Sequence, residues 1–458
     1  MPDLNSALKN LREFYGSGAT LSYEFRKKQL EAFEKVIKKY DDEINTALYT
    51  DLKKSKEEVW ATETGLLVGE IRNAIKNLHK WLKPKKVSTG LVTFPSTAKI
   101  YRDPLGVVLI IAPWNYPLQL LLIPLVGAIA GGNCAMLKPA EHAPATEAII
   151  KKIIEEIFPG NYINVVTGNG AEIVPAMINN FRFDHIFYTG STAVGREIYK
   201  LAAKDLVPVT LELGGKSPCI VYADADIKVA ARRIILGKFL NAGQTCIAPD
   251  YVLVHETVKD TLLNELKDAI QIFYTHDPSS SYDYGKIISK NRFKKLAGYL
   301  AKDKIFYGGK SDESSLYIEP TILTNVSLDD DTMKEEIFGP ILPVLSFATT
   351  AEAMQIVQQN ENPLALYLFT SNNGTEKEWM KKIPFGGGCV NNTVWHFGNE
   401  HLPFGGIGDS GLGAYHGKNT FHVFTHAKPV LKTATWPDPS LKYPPFKGKM
   451  KWFKKLIG

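Results

Sequence analysis

Cysteine is scarce in this chain. Its 458 residues hold four, Cys134, Cys219, Cys246 and Cys389, widely spaced and with no CxxC pair. That pattern excludes a zinc or disulfide framework, leaves no metal site expected, and fits a reducing compartment. A secretory leader is missing too. The N-terminal MPDLNSALKNLREFYG has charges but no apolar core, so the cytoplasm is the expected location. The body of the chain also lacks a basic excess. The net charge of +6 arises at the end, where six lysines and no acidic residue occur from Lys442 onward. Without those lysines the 48 acidic residues are matched one for one, so nucleic acid is not an expected partner. The sequence has no internal repeats and no low-complexity segments.

Charge is absent altogether between Asp103 and Lys138, a run long enough to span a bilayer. Prolines 113, 117 and 124 interrupt it, and Trp114-Asn115-Tyr116 reads as a turn. A buried strand, a turn and a buried helix are expected there.

What is present is an α/β pattern. Residues 1–82 are helical in spacing, as in FRKKQLEAFEKVIKKY and EEVWATETGLLVGEIRNAIKNLHKWL. KPKKVSTGLVTFPSTAKIYRD then reads as an extended excursion. Strands follow at LGVVLIIA, CAMLK, INVVTG, DHIFYTG and PVTLEL, with helices at PATEAIIKKIIEEIF and AVGREIYKLAAK. The alternation predicts a parallel, doubly wound sheet. A second αβ region is expected over about 213–410, with YVLVHE and PILPVLSF as its clearest strands. The end, 428–458, is Pro-rich and expected to be less regular.

Several short stretches could carry chemistry. In FYTGSTAVGREIYK a strand runs into Gly190, and Ser191 and Thr192 open a helix with Gly195 one turn in. Free N–H groups and the helix dipole at such a turn favour a phosphate. Glu212, at a strand end before Gly214 and Gly215, suits a general base held in a cleft. Asn115, in a proline-braced turn, offers a neutral donor to a developing oxyanion. Lys138 and Glu141 could bond the hydroxyls of a ribose. Cys246 follows the helix-like run Ala230–Asn241 within GQTCIAPD. Each has a plain alternative when read alone: a helix N-cap, an exposed carboxylate, a turn-making Asn, a solvated pair, a core thiol.

Taken together, the motifs PWNYP, LKPAE, FYTGSTAVG, LELGGKSP, GQTC, EEIFGP and PFGGIGDSG occur in the order of one family. The sequence resembles the aldehyde dehydrogenase superfamily along nearly its whole length, with Glu212 preceding Cys246 by 34 positions as in the family. GLGAYHGKNTF and PDPSLKYPP, with the short N-terminus, are similar to its class 3 and fatty aldehyde branch.

The resemblance implies an α/β fold with a Rossmann-type cofactor domain, an α/β catalytic domain and a small bridging element. Residues 1–82 and 104–211, rejoined by 411–427, would bind NAD(P). Residues 212–410 would form the catalytic domain, 83–103 and 428–440 the bridging element, and 441–458 a basic amphipathic tail. Cys246 would be the nucleophile, Glu212 the base that hydrolyses a thioester, and Asn115 with the Cys246 N–H the oxyanion donors. Gly190, Ser191, Thr192, Ala193, Val194 and Gly195 would lie at the pyrophosphate, and Lys138 and Glu141 at the adenosine ribose. Glu336 would bond the nicotinamide ribose, with Phe338 packing nearby.

NAD is expected to be preferred and NADP accepted, with a medium or long aliphatic or aromatic aldehyde as the small-molecule substrate. Ile247 and Ala248 would help shape the substrate tunnel, and Tyr116 and Trp395 hint at apolar substrates. A homodimer is expected. The tail KMKWFKKLIG, with Met450, Phe453, Leu456 and Ile457 on one helical face, is expected to make peripheral membrane contact or to cap the partner's tunnel. A CoA-acylating dehydrogenase is a neighbouring alternative, disfavoured by Glu212. A non-catalytic member would need a lost nucleophile or base.

Overall fold

The computed structural model describes residues 2–457. One sheet has the strand order Gly411–Leu412, Val209–Glu212, His185–Thr189, Val107–Ile111, Cys134–Lys138, Ile163–Val165. It is parallel except at its Gly411–Leu412 edge. The central strand, VVLII, is buried at every position. Such an unbroken apolar run marks a parallel strand covered on both faces. The uncharged stretch continues through a turn into the helix Gln119–Gly131, buried along its whole length. That helix packs on the Val107–Ile111 and Cys134–Lys138 strands. Among the described residues no helix is long and apolar enough to cross a membrane.

The second sheet runs Ile305–Tyr307, Thr321–Leu323, Ile341–Phe347, Tyr251–His255, Pro218–Val221, Ala365–Phe369, Gly387–Val390. Only its Ile305–Tyr307 edge is antiparallel. The first sheet hands over to the second between Glu212 and Pro218, through Leu213-Gly214-Gly215. The ends of both sheets therefore meet near that glycine pair.

A third sheet joins Lys85–Val87, Ser96–Pro104 and Thr425–Thr433. The long pair is antiparallel over nine positions, from Pro104 opposite Thr425 to Ser96 opposite Thr433. This corrects the expectation of irregular chain from 428. Threonine, valine and leucine favour an extended strand, and Pro429 is tolerated because this strand is an edge. Regular structure returns at the helix Met450–Ile457, which touches the turn at Leu91–Thr93.

Candidate active site between two cavities

The helix Ile227–Phe239 leads into an unusual turn. Asn241, Ala242 and Gly243 all take left-handed backbone angles, with φ of 53°, 51° and 75°. For an L-residue this conformation costs roughly 1–2 kcal/mol, so the surroundings must hold it. The Asn241 N–H donates to Glu58 Oε1 at 2.9 Å, and its side chain donates to the Asn115 carbonyl at 2.8 Å. Gln244 Nε2 donates to the carbonyls of Asn241 and Lys286, each at 3.0 Å. Gly243 lies against the Gly339 carbonyl, with no room for a Cβ. The turn thereby presents Thr245 and Cys246 from a fixed base.

Cys246 is half-buried and borders two cavities. Burial, then the nearby Glu336 and Glu212, push its thiol pKa up to about 12. Glu212, at the end of its strand, is only 2% exposed, and neither carboxylate oxygen has a hydrogen-bond partner among the described residues. Burial raises its pKa well above the ordinary carboxylate range. The exposed strand-end alternative is thereby excluded.

Asn115 is 2% exposed. Its side-chain amide donates to the Gln244 carbonyl at 3.0 Å, while its Oδ1 is buried without a partner. Beneath it lies an ion pair that sequence reading missed. Lys54 and Glu63 are fully buried, 2.7 Å apart, and Lys54 also donates to the Asn115 carbonyl at 2.9 Å. Glu63 Oε2 accepts from the N–H groups of Leu118 and Gln119 at 3.1 and 3.0 Å, fixing the start of the buried helix. No local periodicity marks this pair, since its partners are more than fifty residues away.

One cavity is a cleft of about 1130 Å³ at the carboxyl ends of the first sheet. Gly190, Ser191 and Thr192 line it, with Asn115, Glu212, Cys246, Glu336 and Phe338. Ser191 caps the helix Thr192–Ala203, its Oγ accepting from the Val194 N–H at 3.4 Å. Ala193, Val194 and Gly195 stand behind this lining: Val194 is exposed, and Gly195 is buried against Leu213 and Tyr188. Phe338 holds a left-handed φ of 49° and meets Trp114 edge-on at 5.4 Å. Glu336 lies against Gly214, where a Cβ would collide with its carboxylate. Its pKa is pushed up to about 8, first by burial and then by Asp250, with Arg292 acting in the opposite sense.

Lys138 and Glu141 lie outside this lining, at the end of the neighbouring strand. Lys138 donates to Glu141 Oε2 at 2.8 Å, and Glu141 Oε1 accepts from the Gly170 N–H at 2.8 Å. Burial acts to raise the Glu141 pKa, but these hydrogen bonds outweigh it and the net shift is downward.

Arg292 and Lys295 also line the cleft and were not singled out in the sequence. Arg292 donates to the Ile337 and Phe338 carbonyls and lies 5.9 Å from the Phe338 ring. A helix N-terminus, glycines in close approach, two cations and unpartnered carboxylate oxygens together fit a dinucleotide.

The other cavity is narrow and almost wholly apolar. Tyr116, Leu120, Ile247, Val394, Phe397 and Phe404 line it, together with Cys246 and Glu212. Of the residues expected to shape a tunnel, Tyr116 and Ile247 do so. Ala248 is buried elsewhere, and Trp395 is 51% exposed and away from the lining.

A thiol and a buried carboxyl group shared by a dinucleotide-shaped cleft and an apolar pocket fit a cysteine-dependent oxidoreductase of apolar carbonyl compounds. The chain belongs to the aldehyde dehydrogenase family, whose model matches residues 2–430, and it oxidises aldehydes with a nicotinamide dinucleotide, NAD or NADP, as hydride acceptor. It is 47% identical to the 4,4'-diaponeurosporen-aldehyde dehydrogenase of Staphylococcus aureus, covering 97% of each chain. It is 42% identical to aldehyde dehydrogenase family 3 member A2 of Rattus norvegicus, covering 98% of this chain and 93% of that one. Among solved structures, the substrate-bound state of Staphylococcus aureus AldH superposes with a TM-score of 0.97 at 45% identity, over 99% of each chain. These relatives support the class 3 branch.

Proposed function

We propose that Cys246 attacks the aldehyde carbonyl from the wall shared by the two cavities, with Glu212 as the base. The observation that carries this reading is the pair of unpartnered Glu212 oxygens bordering the same two cavities as the Cys246 thiol. As a carboxylate Glu212 takes the thiol proton and passes it to solvent, and the thiolate adds to the carbonyl carbon to form a thiohemiacetal. A side-chain N–H of Asn115 and the backbone N–H of Cys246 bind the oxygen as it gains charge. Bound in the cleft, the dinucleotide would supply the hydride acceptor, leaving a thioester on Cys246. Glu212 then deprotonates a water that attacks the thioester, releasing the carboxylic acid and the thiol.

Glu336 would bond the nicotinamide ribose with Phe338 beside it. The Gly190–Gly195 turn would hold the pyrophosphate, and Lys138 and Glu141 the adenosine ribose. The carboxylate of Glu141 favours the hydroxyl of NAD over the phosphate of NADP, so NAD is preferred and NADP accepted. The apolar pocket suits medium or long aliphatic, or aromatic, aldehydes.

Residues 2–82, 104–211 and 411–427 act as the cofactor domain and 212–410 as the catalytic domain. Residues 83–103 and 428–440, which supply most of the three-stranded sheet, act as the bridging element. Its open edge, with Val430 and Leu431 exposed, supports a homodimer, and a Rattus norvegicus relative at 41% identity is named dimeric and NADP-preferring.

In the tail helix Met450, Trp452 and Ile457 are exposed beside Lys451, Lys454 and Lys455, which supports peripheral contact with an anionic membrane. Phe453 and Leu456 are half-buried, so only part of the apolar face is available. Deleting residues 447–458 should abolish sedimentation with anionic vesicles, and unchanged sedimentation would remove the membrane contact.

The test of the main reading is NADH formation at 340 nm with hexanal, decanal and benzaldehyde, with and without CoA, alongside Cys246→Ala. Turnover without CoA that disappears in the variant is expected. Turnover only with CoA would remove Glu212 from its role.

A further inference from the structure

The apolar pocket does not end at its far wall. Gln119, Phe397 and His416 line both it and a second, outer chamber. The two spaces therefore adjoin across these three side chains. Gln119 is 7% exposed, and its backbone N–H is bound to Glu63. Its side-chain amide has no hydrogen-bond partner among the described residues, although it borders both chambers. The amide is thus free to bond a polar group on a ligand.

The outer chamber carries acidic side chains, of which Glu70 has its pKa pushed up to about 7 by burial. Glu70 and Glu400 line the outer chamber, and no lysine or arginine lines either chamber. Glu70 is 8% exposed, and its hydrogen bonds, from the Gly417 N–H at 2.9 Å and Thr420 Oγ1 at 3.2 Å, both fall on Oε1. Glu400 sits exposed at the rim, 3.6 Å from the exposed His401. The His416 ring is kept neutral by burial, its pKa pushed down to about 4. An apolar segment next to the carbonyl and a hydrogen-bond donor at the far end would satisfy every group along this path. A carboxylate at the far end would meet two acidic side chains and no cation.

We propose that the outer chamber is a recognition subsite for the distal end of the aldehyde, selecting a hydrogen-bond-donating head group and rejecting a carboxylate. The inference rests on Cys246 being the reacting thiol at the inner end. It names the substrate class as aldehydes with an apolar spacer and a distal donor such as a hydroxyl, held by the Gln119 carbonyl oxygen and facing the Glu70 and Glu400 carboxylates.

The experiment compares unsubstituted, ω-hydroxy and ω-carboxy aldehydes of six, eight and ten carbons by kcat/KM with the full-length protein. At the length that reaches the chamber, the ω-hydroxy aldehyde is expected to exceed the alkanal by roughly tenfold and the ω-carboxy aldehyde to fall below it by roughly tenfold. In Gln119→Leu the hydroxy-to-alkanal ratio falls toward one, and in Glu400→Gln the carboxylate penalty shrinks. Should Gln119→Leu fail to fold, the rim variant Glu400→Gln still reads out the subsite. Equal kcat/KM for all three head groups at every length, with the alkanals turned over, would overturn the subsite and leave the Cys246 reading intact. No turnover of any aldehyde would overturn both.

Discussion

The Asn241 side chain donates a 2.8 Å hydrogen bond to the backbone carbonyl of Asn115, joining the turn that presents Cys246 to the turn that carries the neutral donor. Two halves of the candidate site, 126 residues apart in sequence, are thus locked at one point. Asparagine is among the residues that best tolerate the left-handed angles found there.

Asn241→Ala loses both the tether and that tolerance. The expected result is a stability loss of about 1–3 kcal/mol and a fall in kcat of roughly tenfold or more. Thermal denaturation together with initial rates at saturating hexanal and NAD checks this. An unchanged kcat would show that the tether does not position the thiol.

Glu212→Gln separates the two half-reactions. Its turnover should fall by about 10²- to 10⁴-fold, while a burst of NADH near one per site survives, slowed because the thiol has lost its base but still faster than hydrolysis of the acyl-enzyme. The pH profile carries the same information. Burial raises the Glu212 carboxyl above its ordinary range and pushes the Cys246 thiol up to about 12. Their reactive, deprotonated forms grow as pH rises, so kcat/KM should climb from pH 6 toward pH 10. In Glu212→Gln the climb should lose its carboxyl component. A rate that declines over this interval in the unmodified enzyme would contradict the assignment.

Lys54→Met strands Glu63 as an uncompensated buried carboxylate beneath Asn115. Breaking one side of such a pair costs about 3–5 kcal/mol, read as a lower midpoint in urea. The double variant Lys54→Met/Glu63→Leu should recover part of the loss, though Leu118 and Gln119 then lose their acceptor.

Glu141→Gln removes a negative charge from the expected adenosine ribose site while keeping an acceptor for the Gly170 N–H. The NADP-to-NAD ratio of kcat/KM should rise by roughly tenfold. A ratio unchanged within twofold would mean that Glu141 does not govern the choice of dinucleotide.

The strands of the first sheet were readable because VVLII and CAML are unbroken apolar runs, and the uncharged stretch after Asp103 divided around Pro113 and Pro117, whereas Pro124 interrupts nothing and lies inside the helix Gln119–Gly131. Cys246, Glu212 and Asn115 stood out because short motifs surround them. Other parts were silent because they depend on distant chain. Lys54 and Glu63 read as ordinary helix-surface charges until the fold buries them against Asn115. Asn241 and Ala242 continue a helical pattern in sequence, yet their backbone turns left-handed under contacts from Glu58, Asn115 and Lys286. The Thr425–Thr433 strand was obscured by Pro429, which only an edge position allows. The outer chamber gathers Gly65–Glu70 with Phe397–His416, two stretches that no spacing rule connects.

Since Cys246 and Glu212 are shared by the cleft and the apolar pocket, the proposed mechanism would bring its two reactants to one wall from separate cavities. Neither has to vacate space for the other. An unreactive apolar mimic of the aldehyde would block catalysis without competing for the dinucleotide, and a dinucleotide fragment would leave the aldehyde path open. Order of arrival then becomes a matter of kinetics and not of steric access, and one narrow partition regulates two independent lines of traffic.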